Sequence, residues 1–183
     1  MPPNPHPIRP LTSADTDAYR TIRLRMLREH PEAFGDSAEE REREPETVFR
    51  ERFVSRIEAP DRFVLGAFDG EALVGTVGFY RHGGAKVAHK GGIWGMYVAP
   101  EARGRGVGMA LLEAAVARIA ATCPGVSWLQ LGVATVNGPA QRLYERAGFR
   151  TYGVEPAAMI VGGRAIDEAL MARRVDGALR DGA

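Results

Sequence analysis

Cysteine is nearly absent from this chain: Cys123 is the single one in 183 residues. One thiol excludes an intramolecular disulfide and a cysteine-based metal cluster. An excess of charge of either sign is missing too. Lys and Arg total 24 against 23 Asp and Glu, a formal net charge of +1. A domain that lives on nucleic acid carries a strong basic excess, so nucleic acid is excluded as a partner. Long apolar runs are also lacking. Arg118 interrupts the alanine-rich run 114–121, and no stretch approaches the roughly 18 residues of a membrane-spanning helix. The opening M-P-P-N-P-H-P-I-R-P has five prolines in ten residues and no apolar core of the kind a signal peptide has. These absences set the expectation of a cytoplasmic protein without a membrane partner. Its stiff, disordered leader spans 1–7, one domain covers 8–175, and a short tail runs over 176–183.

What the chain has in excess is glycine, 22 residues, about one in eight against a usual share of about 7%. Eight of the 22 fall within 83–108, so they are placed rather than scattered. Around them the apolar period changes twice. Ile8–Leu11 reads as a short strand. Ser13 or Asp15 caps a helix to about Glu29 that His30-Pro31 ends. The run E-E-R-E-R-E at 39–44 reads as a solvated helical face, followed by helical spacing over 48–58. Residues 63–68 and 72–80 flank Asp69-Gly70 as a hairpin. Residues 82–92 read as a mobile loop and 93–98 as a strand with a bulge at Gly95. From Gly106 a helix carries Met109, Leu112, Val116 and Ile119 on one stripe, ending at Cys123-Pro124-Gly125. A strand over 127–133 follows, then a helix capped by Asn137 and stopped by Gly148. A strand at 149–153 follows, and strands at 157–161 and 169–175, around the turn Gly162-Gly163, close the chain. The strand–helix–strand unit makes part of the sheet parallel and leaves the rest antiparallel, an α/β (α+β) mixture.

The segment with chemistry is Val98 to Gly108, V-A-P-E-A-R-G-R-G-V-G. A strand ends, a proline turn follows and a glycine-rich loop opens a helix. Such a start offers unpaired N–H groups, the positive end of the helix dipole and a backbone that an anion can approach closely. With Arg103 and Arg105 beside it, the implied ligand is a phosphate or pyrophosphate. A Walker loop needs G-x-x-x-x-G-K-[ST], and no Lys occurs in 91–183. A dinucleotide fingerprint needs glycine at 109 or 111, which are Met and Leu. The plain alternative is a loop that only turns tightly into its helix.

Arg103-Gly104-Arg105-Gly106-Val107-Gly108 resembles the [QR]-x-x-G-x-[GA] signature of the GNAT N-acetyltransferase superfamily. The later V-N-G-P-A-Q-R-L-Y-E-R-A-G-F, 136–149, resembles that family's second acetyl-CoA segment. The resemblance covers about 63–153. It implies a central mixed, mostly antiparallel sheet of six to seven strands with helices on both faces. It implies acetyl-CoA as co-substrate, no metal, and transfer of acetyl to a primary amine in a ternary complex. The pyrophosphate would sit on the backbone of Arg103, Gly104, Arg105, Gly106, Val107 and Gly108, with Met109 beside it. The pantetheine arm would pair with Met96, Tyr97 and Val98 like an added strand. A backbone N–H near Met96 or Tyr97 would meet the developing oxyanion. Asn137 would touch the arm, and Tyr144 would protonate the leaving sulfur. Their ordinary alternatives are an N-cap and a core tyrosine. Dimerisation is common in the family, which adds a homodimer to the expectations.

One further absence matters. Many members of the family use a Glu in or near the strand before the glycine loop, and 91–99 here contains no Asp or Glu. His89, Glu71, Glu101 or a relayed water are the candidates to take the amine's proton. The same gap motivates a competing reading, a non-catalytic acyl-CoA-binding regulatory module. The acceptor, a small-molecule amine or a protein N-terminus or lysine, would be chosen by the first helices and the closing strands. Arg23, Arg25, Phe34, Tyr80, Met159 and Asp167 are candidates to line its site.

Overall fold

Two strands in the middle of the chain are buried end to end. In β2 (Arg62–Asp69) residues 63–68 are all buried, and in β3 (Ala72–Arg81) so are 74–79. Successive side chains of a strand point to opposite faces, so unbroken burial means that both faces are covered. The cover follows from the sequence on either side. On one face pack α1 (Thr16–Glu29) and α3 (Glu46–Ile57), through Tyr19, Met26, Leu27, Phe49 and Phe53; on the other packs α4 (Val107–Thr122), through Leu111, Leu112, Ala115 and Ile119. The computed structural model describes residues 6–175. Most of the expected leader and the whole expected tail lie outside them. His6 is buried, its Nδ1 3.2 Å from the Phe68 carbonyl, and the Pro7 carbonyl accepts from Phe68 N–H at 3.0 Å.

The remaining elements are β1 (Ile8–Pro10), α2 (Ala38–Arg43), β4 (Lys90–Val98), β5 (Trp128–Ala134), α5 (Gly138–Arg146), β6 (Arg150–Val161) and β7 (Arg164–Arg174). They form one seven-stranded sheet, ordered β1-β2-β3-β4-β5-β7-β6, in which β4 and β5 are parallel and every other pair is antiparallel. The expected sheet is therefore present, and it is mixed and mostly antiparallel.

Four local expectations are corrected. The N-terminal helices number three, because Pro45 breaks α2 from α3. The loop ends at His89, since β4 begins at Lys90. Gly91 and Gly92 are strand residues on which the rings of Phe79 and Tyr80 lie, occupying the space of a Cβ. The buried stripe of α4 centres on Leu111 and Ala115 with Leu112 and Ile119, while Met109 and Val116 sit at its half-buried margins. Finally, 149–153 and 157–161 join in one strand, β6, irregular between Glu155 and Met159, and β7 begins at Arg164 rather than 169.

Candidate active site

The central feature is a split in the sheet. Only Lys90, Gly91 and Gly92 of β4 pair with β5, against Trp128, Leu129 and Gln130. Beyond them β4 runs on to Val98 and β5 to Ala134 without pairing to each other. The cause lies in β4. Against β3, Thr76 pairs with Tyr97 and Gly78 with Trp94, so Gly95 and Met96 face the single residue Val77. This extra residue is a β-bulge, and it bends the strand. Gly95 has φ 58°, a left-handed conformation that glycine adopts without a Cβ penalty. The Thr76 hydroxyl donates to its carbonyl at 2.9 Å and holds the bulge.

The split opens into a cavity of about 750 Å³, within the usual range for a small-molecule site. One wall is the start of α4. Its first hydrogen bond runs from Ala110 N–H to the Gly106 carbonyl at 3.0 Å, leaving the N–H groups of Val107, Gly108 and Met109 without a helical acceptor. Gly106, at φ 79°, turns the chain into the helix. A Cβ at Gly108 would stand 3.0 Å from Leu143 Cδ2 and 3.4 Å from Met96 Cε, so the absent side chain leaves room where α4, α5 and β4 converge. A glycine-lined, amide-rich wall of this kind fits a pyrophosphate with an extended arm.

All the sequence-predicted site residues line this cavity except Arg105, which is exposed outside it. The two arginines therefore differ. The Arg103 side chain turns back to the fold: Nε donates to the Val98 carbonyl at 2.8 Å, one amino group lies 3.0 Å from His30 Nε2, and Glu29 is 3.7 Å away. The Tyr97 hydroxyl donates to Glu29 at 2.7 Å. Burial raises the Tyr97 phenol's pKa and the carboxylate of Glu29 raises it further. Glu29 stays below the ordinary carboxylate range, because hydrogen bonds from Arg25 and Tyr97 outweigh its burial. This cluster ties the glycine loop to the end of α1.

On the opposite wall Asn137 caps α5, its Oδ1 accepting from Ala140 N–H at 3.2 Å, and it lines the cavity as well. Tyr144, seven residues on, is buried with its ring edge-on to Phe149, centroids 5.9 Å apart. Burial pushes its phenol pKa up, so the proton stays on. Among the described residues its hydroxyl has no hydrogen-bond partner.

The acceptor end is only partly where the sequence points. Arg23 and Phe34 line the cavity. Arg23 is buried, paired to Asp36 at 2.8 Å, with its guanidinium over the Phe34 ring. Arg25 is spent on Glu29 and Glu101, Tyr80 stacks on His82, and the Asp167 carboxylate accepts from Ala157 N–H at 2.8 Å. Neither these three nor Met159 reaches the cavity. None of the three side chains considered for the amine's proton lines it either. Glu101 is held by Arg25 at 2.6 and 2.8 Å, Glu71 sits at the β2–β3 turn, and His89 precedes β4.

Sequence reasoning missed Trp94, Arg146 and Glu168 on the cavity wall. The Trp94 ring fills the space above Gly78, a slot that the bulge residue's neighbour could have suggested. Arg146 stands seven residues after Pro139 on the same side of α5. No local signal marks Glu168.

A family model described as the acetyltransferase (GNAT) family matches residues 23–149. Mycothiol acetyltransferase from Acidothermus cellulolyticus is 30% identical over 161 residues, covering 78% of this chain and 43% of that protein, so the chain spans less than half the relative's length. A GNAT-family acetyltransferase from Streptococcus pneumoniae superposes with a TM-score of 0.81 at 20% identity, over 93% of this chain and 99% of the other. A phosphinothricin acetyltransferase from Sinorhizobium meliloti, solved in complex with AcCoA, gives 0.77 at 22% identity, over 92% and 88%. The fold is thus shared with solved acetyltransferases, and with most of its length matched by the family model this chain belongs to the GNAT acetyltransferase family.

Proposed function

We propose that the chain is an N-acetyltransferase that moves the acetyl group of acetyl-CoA to a primary amine, by direct attack with both substrates bound at once. The observation that carries this reading is the partnerless Tyr144 hydroxyl, in the same cavity as the free amides of Val107, Gly108 and Met109. Those amides and the backbone of Arg103 to Gly106 would hold the pyrophosphate, and the unpaired edge at Met96, Tyr97 and Val98 would take the pantetheine arm. Asn137 would meet the arm with its amide nitrogen, since its oxygen serves the cap. Acetyl-CoA, when bound, supplies the activated acyl thioester. Tyr144, whose phenol keeps its proton, would give it to the leaving sulfur.

The assembly this reading carries is a cytoplasmic homodimer formed along the edge strand β6. Tyr152, Val154 and Ile160 are 58%, 55% and 67% exposed there, an apolar edge of the sort a soluble monomer avoids.

The test is release of free CoA from acetyl-CoA over a panel of small primary amines and of peptides with free N-termini or lysines. Release with at least one member is expected. Binding of acetyl-CoA by calorimetry with no release from any member would replace the enzyme by the acyl-CoA-binding module.

A further inference from the structure

Among the described residues Glu168 is the only carboxylate on the cavity wall. It stands on β7 opposite Ala134 of β5, on the sheet face that Gly132 shares two residues back. Its side chain leans along that diagonal, and a Cβ at Gly132 would overlap the carboxylate. The last paired rung between β4 and β5 is Gly92 with Gln130. Gly132 therefore lies two residues into the split, level with Trp94 and beside the bulge. The carboxylate is half-buried, and among the described residues it has no hydrogen bond and no ion pair.

Among the other ionisable groups on the wall, His30, Tyr97, Arg23 and Arg103 are engaged. Arg103 can only donate, so His30 Nε2, 3.0 Å away, is the accepting nitrogen, and Nδ1 carries the proton toward Glu32 at 3.5 Å. Arg23 is paired with Asp36. Arg103 and Arg146 are permanent cations and Tyr144 keeps its proton.

We propose that Glu168 is the carboxylate that receives the ammonium group of the acceptor and takes its proton before attack. This rests on the acetyltransferase reading and deepens it. One N–H bond of the ammonium breaks and an O–H bond forms on Glu168. The neutral nitrogen bonds to the acyl carbon as the C–S bond breaks. The leaving sulfur takes the phenol proton of Tyr144, the nitrogen's second proton restores the phenol, and Glu168 gives its own proton to water. The sum is an amide, a thiol and one released proton. The pairing also states an acceptor class: an amine that arrives as a cation, since a carboxylate without a counter-ion attracts it.

The surroundings of Glu168 make its carboxylate more basic than an ordinary one. Burial raises its carboxyl above the ordinary range, and Glu155, its register partner on β6, raises it further. The adjoining β5 presents no charged residue at Gly132, Val133 or Ala134. The turn after α1 brings His30 and Glu32, and α1 itself brings Arg23.

The experiment joins kinetics with a titration that needs no acceptor. With an amine found by CoA release, Glu168→Gln is expected to lower kcat/KM about 100-fold and to abolish its acid limb, leaving acetyl-CoA affinity unchanged. Glu155→Gln is expected to keep activity and shift that limb to lower pH. Gly132→Ala, whose methyl pushes only the end of a flexible side chain, is expected to lower kcat/KM without loss of thermal stability. Separately, carbon-13 NMR of the Glu168 carboxyl, assigned by its loss in Glu168→Gln, is expected to titrate above an ordinary glutamate and to fall in Glu155→Gln. A Glu168→Gln enzyme within twofold of wild type with its acid limb intact overturns the proposal. So does a carboxyl that titrates normally and ignores Glu155. Absence of turnover in the wild type counts against the acetyltransferase reading alone, and the NMR titration still decides on Glu168.

Discussion

Tyr144 is buried, its ring is held against Phe149, and its hydroxyl has no protein partner. The ring is packed in the core, while the hydroxyl is not one of the sealed, unpartnered polar atoms of the described residues and opens into the cavity. It is therefore available to a ligand group. Tyr144→Phe removes one oxygen and none of the packing. We expect kcat to fall 100-fold or more, with acetyl-CoA affinity by calorimetry within about threefold and thermal stability unchanged or higher. A variant that loses cofactor affinity and kcat in parallel would make Tyr144 a binding residue instead. Residues of this type were legible in the sequence because a motif with fixed spacing on one helix carries them: Asn137 and Tyr144 lie two turns apart. Glu168 was not legible. Its meeting with Gly132 depends on the β5–β7 register, and although the Gly162-Gly163 turn is legible, the strand after it reads only from 169, which leaves Glu168 out of the sheet. Arg103 was read for its charge, yet the bonds to Val98, His30 and Glu29 that give it its place come from elements more than 70 residues away in sequence as well as from its own turn.

Elements were legible where capping chemistry is local. Asn137 accepts from Ala140, Gly148 at φ 88° stops α5, and His30-Pro31 ends α1. The boundaries of β4, β6 and β7 were not, because glycines under aromatic rings and a bulged strand read as loop. The junction of β1 with α1 offers a prediction at this scale. Arg9 donates to both Asp15 oxygens at 2.8 and 2.7 Å, and Thr12 N–H donates to the same carboxylate at 2.8 Å. The hydrogen bond from Arg9 leads in holding the Asp15 carboxyl down at about 2, burial opposes it, and the Thr12 bonds add to it. A carboxyl depressed on folding contributes stability above its unfolded value, and that contribution is lost as pH falls through the folded one. Asp15→Asn should cost about 1 kcal/mol at neutral pH, since Arg9 is half-exposed. Its stability, followed by urea unfolding, should also fall less steeply than the wild type's between about pH 4 and pH 2. Parallel curves in that window would mean that the clamp contributes nothing.

The whole molecule is a sheet held continuous across its middle by three rungs, Lys90 to Gly92 with Trp128 to Gln130. On one side stand β1 to β4 with α1, α3 and α4; on the other, β5 to β7 with α5 nearby. The large fully buried side chains, Phe53, Phe79, Leu111, Leu129, Phe149 and Met171, are shared between the two sides. The split edges of β4 and β5 beyond the rungs are joined to nothing between them. A ligand that pairs with β4 and touches α4 and α5 would complete this middle, and its binding to the folded state alone adds stability by mass action. At a free concentration 100 times its Kd that amounts to about 2.7 kcal/mol, or roughly 5–10 °C in Tm for a chain of this length. We expect acetyl-CoA to raise Tm by that amount in differential scanning calorimetry. Gly108→Leu, whose side chain would fill the space between Leu143 and Met96, should fold and show no such rise. Tyr144→Phe and Glu168→Gln should keep it, because neither removes an amide of the α4 wall or the free edge of β4. A Gly108→Leu protein that still gains 5 °C would place the cofactor elsewhere than in the split. A rise lost in Glu168→Gln would move that carboxylate from the acceptor's side of the cavity to the cofactor's.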